Sequence, residues 1–121
     1  MSPESIFVDG AKLEWREAPE FGVYWKLLHY DPESEVRALL IKMEAGSTYR
    51  GHSHPEGEQY YVLEGSLEEG GHTIEAGGYA YHPPGSAHRP KTKTGCLVFV
   101  TLRKKVAPLT EAECAELRSD G

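Results

Sequence analysis

Four side chains in the middle of the chain could together hold one metal ion. They are His52, His54, Glu58 and His88. The first three fall in a glycine-framed block at 46–65, G-x5-H-x-H-x3-E-x6-G. The fourth lies in a second block at 77–92, which begins G-x5-P-x-G-x2-H. Successive side chains of a strand alternate between its two faces, so the two histidines of an H-x-H pair point the same way. Imidazole and carboxylate together favour Zn, Fe, Ni, Mn or Cu over Ca or Mg.

The alternative is that these histidines only hydrogen-bond inside a barrel, since an H-x-H pair by itself is a weak signal. The combined spacing favours one divalent transition metal per chain, with Fe(II) or Zn expected first and Ni or Mn as further options. Four protein ligands could close a tetrahedral Zn site and leave no position for chemistry. With five or six ligands, the ion would keep a position for water, substrate or dioxygen. The sequence leaves both arrangements open.

Short β-rich runs separated by turn residues predict a single all-β domain over 1–121. The chain has 13 Gly and 8 Pro to break these runs, a spacing typical of a β-sandwich or barrel. Gly70-Gly71 predicts a two-residue hairpin turn. Thr110-x-x-Glu113 has the form of a capping box, which predicts a short helix in a C-terminal tail at 104–121. The predicted strands are 5–9, 12–16, 23–30, 36–43, 58–63, 66–69, 72–75, 79–82 and 96–103.

Three further side chains are candidates for the surroundings of the ion or for catalysis. Tyr60, Tyr81 and His82 flank the predicted ligands on the same strands, and Tyr60 shares the parity of Glu58. Core packing is an equal alternative for the tyrosines. His82 could be a fifth ligand or an acid/base, but a hydrogen-bonded interior histidine is the favoured interpretation. The remaining expectations are exposed positions for His29 and His72 and a buried, unreactive one for Cys96.

Composition limits the partners of the chain. A net charge of -6 and a pI near 5.5 disfavour nucleic acid, because a phosphate backbone would be repelled. Two cysteines cannot form a disulfide framework, and no leader or membrane-spanning run is visible, so we predict a cytoplasmic protein without membrane contact. The apolar run Ile6-Phe7-Val8 could pair as an edge strand with a second chain or could cover its own barrel, and we predict a homodimer.

The two blocks resemble the motifs of the cupin family. The first motif is complete, while the Asn that ends the second is replaced by Thr92. The runs HPEGE at 54–58, VLEGS at 62–66 and PPGSAHRP at 83–90 look like the ChrR-like cupins, and the resemblance spans about Leu13 to Arg103. It implies a double-stranded β-helix, or jelly-roll barrel, with the four predicted ligands on one ion and room for a small-molecule ligand.

This resemblance implies two leading functions. One is a non-haem metal-dependent dioxygenase that acts on a small dicarbonyl or aromatic ketone, like the diketone-cleaving members of the subfamily. The other is a non-catalytic zinc-binding sensor or regulatory module similar to the C-terminal domain of the anti-sigma factor ChrR. Only about a dozen residues precede the predicted barrel, so we expect no separate sigma-binding domain. Sugar isomerase or epimerase activity is a third option, but the sequence shows no basic pocket residues that favour it.

Overall fold

The computed structural model of the protein describes residues 4–49, 52–54, 56–103 and 107–108, and of 52–54 and 107–108 it describes the backbone. One short 3-10 helix, Gly10–Lys12, precedes the strands. In chain order the strands are β1 Arg16–Glu17, β2 Val23–Tyr30, β3 Val36–Met43, β4 His52–His54, β5 Glu58–Glu69, β6 His72–Glu75, β7 Tyr79–His82, β8 Ser86–His88, β9 Cys96–Arg103 and β10 Ala107–Pro108.

The strands form two antiparallel sheets. The larger sheet has the order β1-β2-β3-β9-β5-β6, and β7 also pairs with β5. The smaller sheet has the order β10-β4-β8. Bridges from Lys91 to Thr48 and to Glu68 connect the segment after β8 with the first motif and with β5. The chain after β8 is therefore held against both the first motif and the large sheet, and the predicted all-β class is confirmed.

The hydrophobic core lies on the inner face of the large sheet, because apolar side chains alternate along its long strands. In β9 every second residue from Cys96 to Leu102 is buried, and in β5 the same holds from Glu58 to Val62. Buried residues of β2 and β3, such as Val23 and Met43, complete the core. Alternation with a period of two gives each strand one apolar inner face, which fixes its register against its neighbours.

A bulge near Gly65 lets β5 continue through a point where the sequence predicts a break. The pairing with β9 shifts between Val62 and Glu64, and Gly65 has a φ of 72°. The predicted strands 58–63 and 66–69 are therefore a single strand, because the bulge absorbs the positive φ without ending the ladder. Its first half pairs with β7 and its second half with β6. The hairpin at Gly70-Gly71 is confirmed, with positive φ at both residues.

The predicted strand at 5–9 is wrong, and the one at 12–16 is wrong except at its end. Residues 4–9 have no regular structure, and Asp9 accepts a hydrogen bond from the Ala11 amide at 3.1 Å to begin the 3-10 turn. No neighbouring strand pairs with this segment in the described part of the chain, and β propensity alone does not form a strand. Phe7 is 93% exposed in the single chain. The structure contains one chain, and the homodimer stays a prediction.

The predicted short C-terminal helix lies outside the described residues. Five predicted strands have the observed bounds: Val23–Tyr30, Val36–Met43, His72–Glu75, Tyr79–His82 and Cys96–Arg103. In the described part of the chain, no helix has the length and apolar character needed to cross a membrane.

Two glycine substitutions separate the cost of a positive φ from the cost of a steric clash. A Cβ at Gly65 would lie 1.9 Å from the Gly95 carbonyl oxygen, whereas a Cβ at Gly46, where φ is 83°, meets nothing within 4 Å. We expect Gly46→Ala to lower the free energy of unfolding by about 1–2 kcal/mol. Gly65→Ala should cost at least ~1–3 kcal/mol more, because the backbone must move. Urea unfolding in identical buffer checks this, and equal losses in the two variants would contradict it.

Candidate metal centre

Strands from both sheets bring two of the predicted ligands, Glu58 and His88, together. In the large sheet Glu58 at the start of β5 pairs with His82 at the end of β7. In the small sheet the backbone of His52 pairs with that of His88. Opposed Cα atoms of antiparallel strands lie about 4.5–5.5 Å apart. The register therefore places the backbone of Glu58 beside that of His82, and the backbone of His52 beside that of His88.

Glu58, His82 and His88 form a cluster that could hold a metal ion. One ligand atom from each lies within 4.8 Å of the others. The Nε2 atom of His88 is 3.4 Å from Oε1 of Glu58, and both side chains are buried. Two donor atoms that are each about 2.1 Å from one ion lie ~3.0–3.4 Å apart at bond angles between square and tetrahedral. The spacing of Glu58 and His88 and the donor types of all three residues therefore fit a divalent transition metal.

A buried carboxylate, Glu69, holds the two histidines of this cluster. Its Oε1 atom accepts a hydrogen bond from the Tyr60 hydroxyl at 2.5 Å and contacts Nε2 of His82 at 2.6 Å. Its Oε2 atom contacts Nδ1 of His88. When Nδ1 of neutral His88 donates to Glu69, the lone pair of the ring lies on Nε2, the atom that faces Glu58. Glu69 thus orients the His88 ring with Nε2 toward Glu58.

The same contacts set the protonation of the group. Burial by itself would raise the pKa of Glu69, but hydrogen bonds from His82 and His88 outweigh burial and hold this pKa well below its ordinary value. The hydrogen bond to Glu69 raises the pKa of His82 against the opposing effect of burial. Burial, followed by the charge of Glu69, raises the pKa of Tyr60 far above its ordinary value. Tyr60 is therefore a neutral donor to an ionised Glu69.

Two cavities meet at this cluster. The outer cavity, about 590 Å³, lies beside β6, β7 and β8 and is lined in part by Glu69, His82 and His88. The inner cavity, about 390 Å³, lies against the inner face of the large sheet and is lined mostly by apolar side chains, with Glu58, Tyr60 and His88 also on its wall. His88 contacts both cavities, so a ligand in the inner one reaches the same cluster. A volume of this size suits a small molecule.

Some predicted site residues come together here and others do not. Glu58, His88 and Tyr60 all lie in the cluster or contact it. The side chains of His52 and His54 lie outside the described residues, so their role as ligands stays a prediction. His82 is hydrogen-bonded in the interior, as expected, and also has a ligand atom in the cluster.

Tyr81 lines the outer cavity together with His82 and His88, so its place near the ion stays a prediction, although its side chain is mostly exposed. Tyr81 is 62% exposed and pairs with exposed Gln59 on the outer face of the sheet. It precedes His82 by one residue, and alternation turns adjacent side chains to opposite faces. Three other expectations are confirmed: His29 and His72 are exposed, and Cys96 is buried.

Sequence reasoning placed Glu69 at the end of the predicted strand 66–69, beside the hairpin turn, and missed its role at the site. The signal that could have found it is its spacing from Leu67, since residues two apart on one strand share a face. The bulge hid this signal. Inner positions are even-numbered up to Val62, but after the shift they are odd-numbered, so that Leu67 and Glu69 are buried.

Thr92 and Ser86 carry two further buried hydroxyl groups in the second motif. Thr92, which replaces the usual Asn, is 3% exposed, and its Oγ1 donates to the Ser66 carbonyl at 2.6 Å. Its own carbonyl accepts from the Gly46 amide at 2.9 Å, so it ties the second motif to the first. Ser86 precedes His88 by two residues, and its buried hydroxyl has no hydrogen-bond partner in the part of the chain that the structure describes.

Comparison with known proteins gives matches in sequence and in structure. The family model described as a ChrR Cupin-like domain matches residues 3–106. An acetylacetone-cleaving enzyme from Acinetobacter johnsonii is 32% identical over 73 residues, which cover 55% of this chain and 48% of that enzyme. The chain thus matches about half the length of this curated relative.

Two solved structures are similar in fold. A candidate acetylacetone dioxygenase from Methylibium petroleiphilum has a TM-score of 0.86 at 20% identity, over 93% of this chain and 85% of that chain. ChrR in complex with SigE from Rhodobacter sphaeroides has a TM-score of 0.67 at 21% identity, over 76% of this chain and 49% of that chain. These likenesses, together with the family model, confirm the predicted double-stranded β-helix class.

A matched pair of substitutions tests the role of Glu69. Glu69→Gln keeps the shape of the side chain but presents an amide donor to a group of donors, so at least one hydrogen bond is lost. We expect a loss of about 1–3 kcal/mol in the free energy of unfolding and a ~10–100-fold loss of metal affinity. Neighbouring Glu68, which pairs at 3.6 Å with exposed Lys93, is the control.

Glu68→Gln should cost less than about 1 kcal/mol and leave metal affinity unchanged. Urea unfolding and competition with a metal-responsive dye measure the two quantities. Equal effects of the two substitutions on metal affinity would show that Glu69 has no special role.

Proposed function

This chain belongs to the ChrR cupin-like domain family, and from that premise we propose that it is a metal-dependent cupin enzyme that oxidises a small dicarbonyl compound with dioxygen. The observation that carries the proposal is the position of Glu58 and His88. They form part of a cluster with metal-ligand chemistry and also lie on the wall of an apolar cavity of about 390 Å³. The 32% identical relative that cleaves acetylacetone supports this substrate class.

The proposed ligand set is His52, His54, Glu58 and His88, with His82 as a further donor beside them. When bound, a divalent transition metal would supply Lewis-acid polarisation of the dicarbonyl and a means of reaction with dioxygen. Fe(II) is the metal that best suits this chemistry, and the imidazole and carboxylate donors accept it.

The protein itself positions the proposed metal ligands and excludes water from the substrate. Glu69 keeps the proton of His88 on Nδ1 and so keeps Nε2 directed at Glu58. Tyr60 stays neutral and completes the hydrogen bonding of Glu69. Apolar side chains of the inner cavity, such as Ile41 and Val100, contact the carbon part of the substrate and keep water from it.

A non-catalytic zinc module is the second candidate, and the observation in its favour is the family itself. The matched family model is named for ChrR, and the structure of ChrR with SigE has the same fold. Four protein ligands could close a tetrahedral zinc site. Stoichiometric zinc with no oxygen consumption from any dicarbonyl would favour this candidate over the enzyme.

Removal of one proposed ligand tests the metal site. We expect His88→Ala to lose metal affinity by more than the ~10–100-fold typical of residues that hydrogen-bond to a ligand, because this substitution removes a proposed ligand itself. The variant should still fold into a less stable barrel. His29→Ala is the matched control, since His29 is exposed and lines neither cavity. Elemental analysis of protein purified without a nickel column measures metal content. Full metal retention in His88→Ala would end the assignment.

Oxygen consumption tests the reaction. Protein loaded with Fe(II) should consume dioxygen when acetylacetone is added, and the rate should fall to background in His88→Ala but not in His29→Ala. An oxygen electrode with parallel detection of the carboxylic acid product makes the measurement. Absence of consumption with acetylacetone and with larger diketones, in protein that holds stoichiometric iron, would rule out the proposed activity.

A further inference from the structure

An arginine lies on the wall of the inner cavity. Arg37 is the second residue of β3 and lines this cavity together with Leu39, Ile41 and Met43, the alternate residues of the same strand. Residues two apart share a face, so Arg37 continues the apolar inner row of β3. In the described part of the chain it is the single Lys or Arg side chain on the cavity wall.

The sheet register places Arg37 in line with the metal cluster. Arg37 pairs with Leu102 of β9, and Leu102 pairs on its other side with Glu58 of β5. Glu58 pairs in turn with His82. One cross-strand row therefore runs from Arg37 to the cluster. Since neighbouring strands are about 4.8 Å apart, the Cα atoms of Arg37 and Glu58 are separated by ~10 Å.

The guanidinium of Arg37 has few partners. Its Nη1 atom donates to the Glu35 carbonyl at 3.3 Å, and its plane lies over the Tyr30 ring, 4.6 Å from the centroid. No carboxylate forms an ion pair with it among the residues that the structure describes. A guanidinium has five N–H donors and matches a carboxylate in a two-point contact, so donors remain for a ligand.

We propose that Arg37 binds the carboxylate of an anionic substrate whose dicarbonyl end faces the Glu58–His88 cluster. The inference rests on the proposed function and makes it more specific. The substrate would still be a small diketone, but one that also carries a carboxylate. Such a ligand has an apolar middle for the cavity wall, a carboxylate for Arg37 and two oxygens for the metal site. The spacing along the cross-strand row suits this extended shape.

Two ligands of equal carbon number test the subsite. The ligand 4,6-dioxoheptanoate has a diketone and a terminal carboxylate, and heptane-2,4-dione has the same diketone with a methyl group instead. We expect the wild-type protein to bind the acid at least about tenfold more tightly, as measured by calorimetric titration. Arg37→Met keeps the apolar stem and should abolish this preference, while its affinity for heptane-2,4-dione stays the same. Arg37→Lys should keep part of the preference.

The matched control is Arg103→Met. Arg103 follows Leu102, is exposed on the opposite face, and its Nε atom also donates to a backbone carbonyl, that of Ser34, at 2.8 Å. Its substitution should leave the preference intact. An equal preference for the acid in wild type and in Arg37→Met, or a loss of the preference in Arg103→Met as large as in Arg37→Met, would overturn the proposal.

Heptanoate separates this proposal from the proposed activity, because it has the carboxylate and no diketone. Binding of heptanoate that depends on Arg37, without oxygen consumption from any diketone, would support the subsite and remove the oxygenase. Oxygen consumption from acetylacetone without any Arg37-dependent preference for the acid would support the oxygenase and remove the subsite.

Discussion

A carboxylate taken out of water must be hydrogen-bonded on both oxygens, and Glu69 meets this requirement with three side chains. Tyr60 and His82 contact one oxygen, and His88 contacts the other. These hydrogen bonds compensate for the loss of water around the buried charge, and each of them also fixes the orientation of a side chain in the site. The contact of Nδ1 of His88 with Glu69 favours the tautomer that carries the proton on Nδ1 and the lone pair on Nε2. The chemistry proposed for the cluster depends on this one residue.

The antiparallel register converts this local network into a site with two sides. Glu58 and His82 are opposed in the large sheet, while His88 arrives from the small one. The cluster therefore lies where the sheets meet, between an outer cavity with a mixed polar and apolar lining and an inner cavity that is mostly apolar. This division separates roles, since polar side chains of the cluster hold charge and the apolar strands of the large sheet contact carbon. Arg37, in the same cross-strand row as Glu58, gives the apolar side a charged end.

Much of the fold could be predicted from the sequence because local patterns decide it. Runs of strand-forming residues between turn residues predict the bounds of β2, β3, β6, β7 and β9, and Gly70-Gly71 predicts the hairpin that follows β5. The strand at 5–9 failed for the opposite reason. Its residues are apolar, but a strand exists only where another strand can pair with it, and pairing is not a property of a local segment.

The sequence by itself determined the fold family, the two motif blocks and the kinds of donor atom, because each follows from residue types at short spacing. Only the tertiary structure decided which residues surround His88. A one-residue bulge near Gly65 changes the parity of β5 and turns Glu69 inward. The register of β3 and β9 places Arg37 in line with Glu58, although the two residues are distant in sequence. Both outcomes depend on how strands pair, and pairing is set by the packing of the whole core.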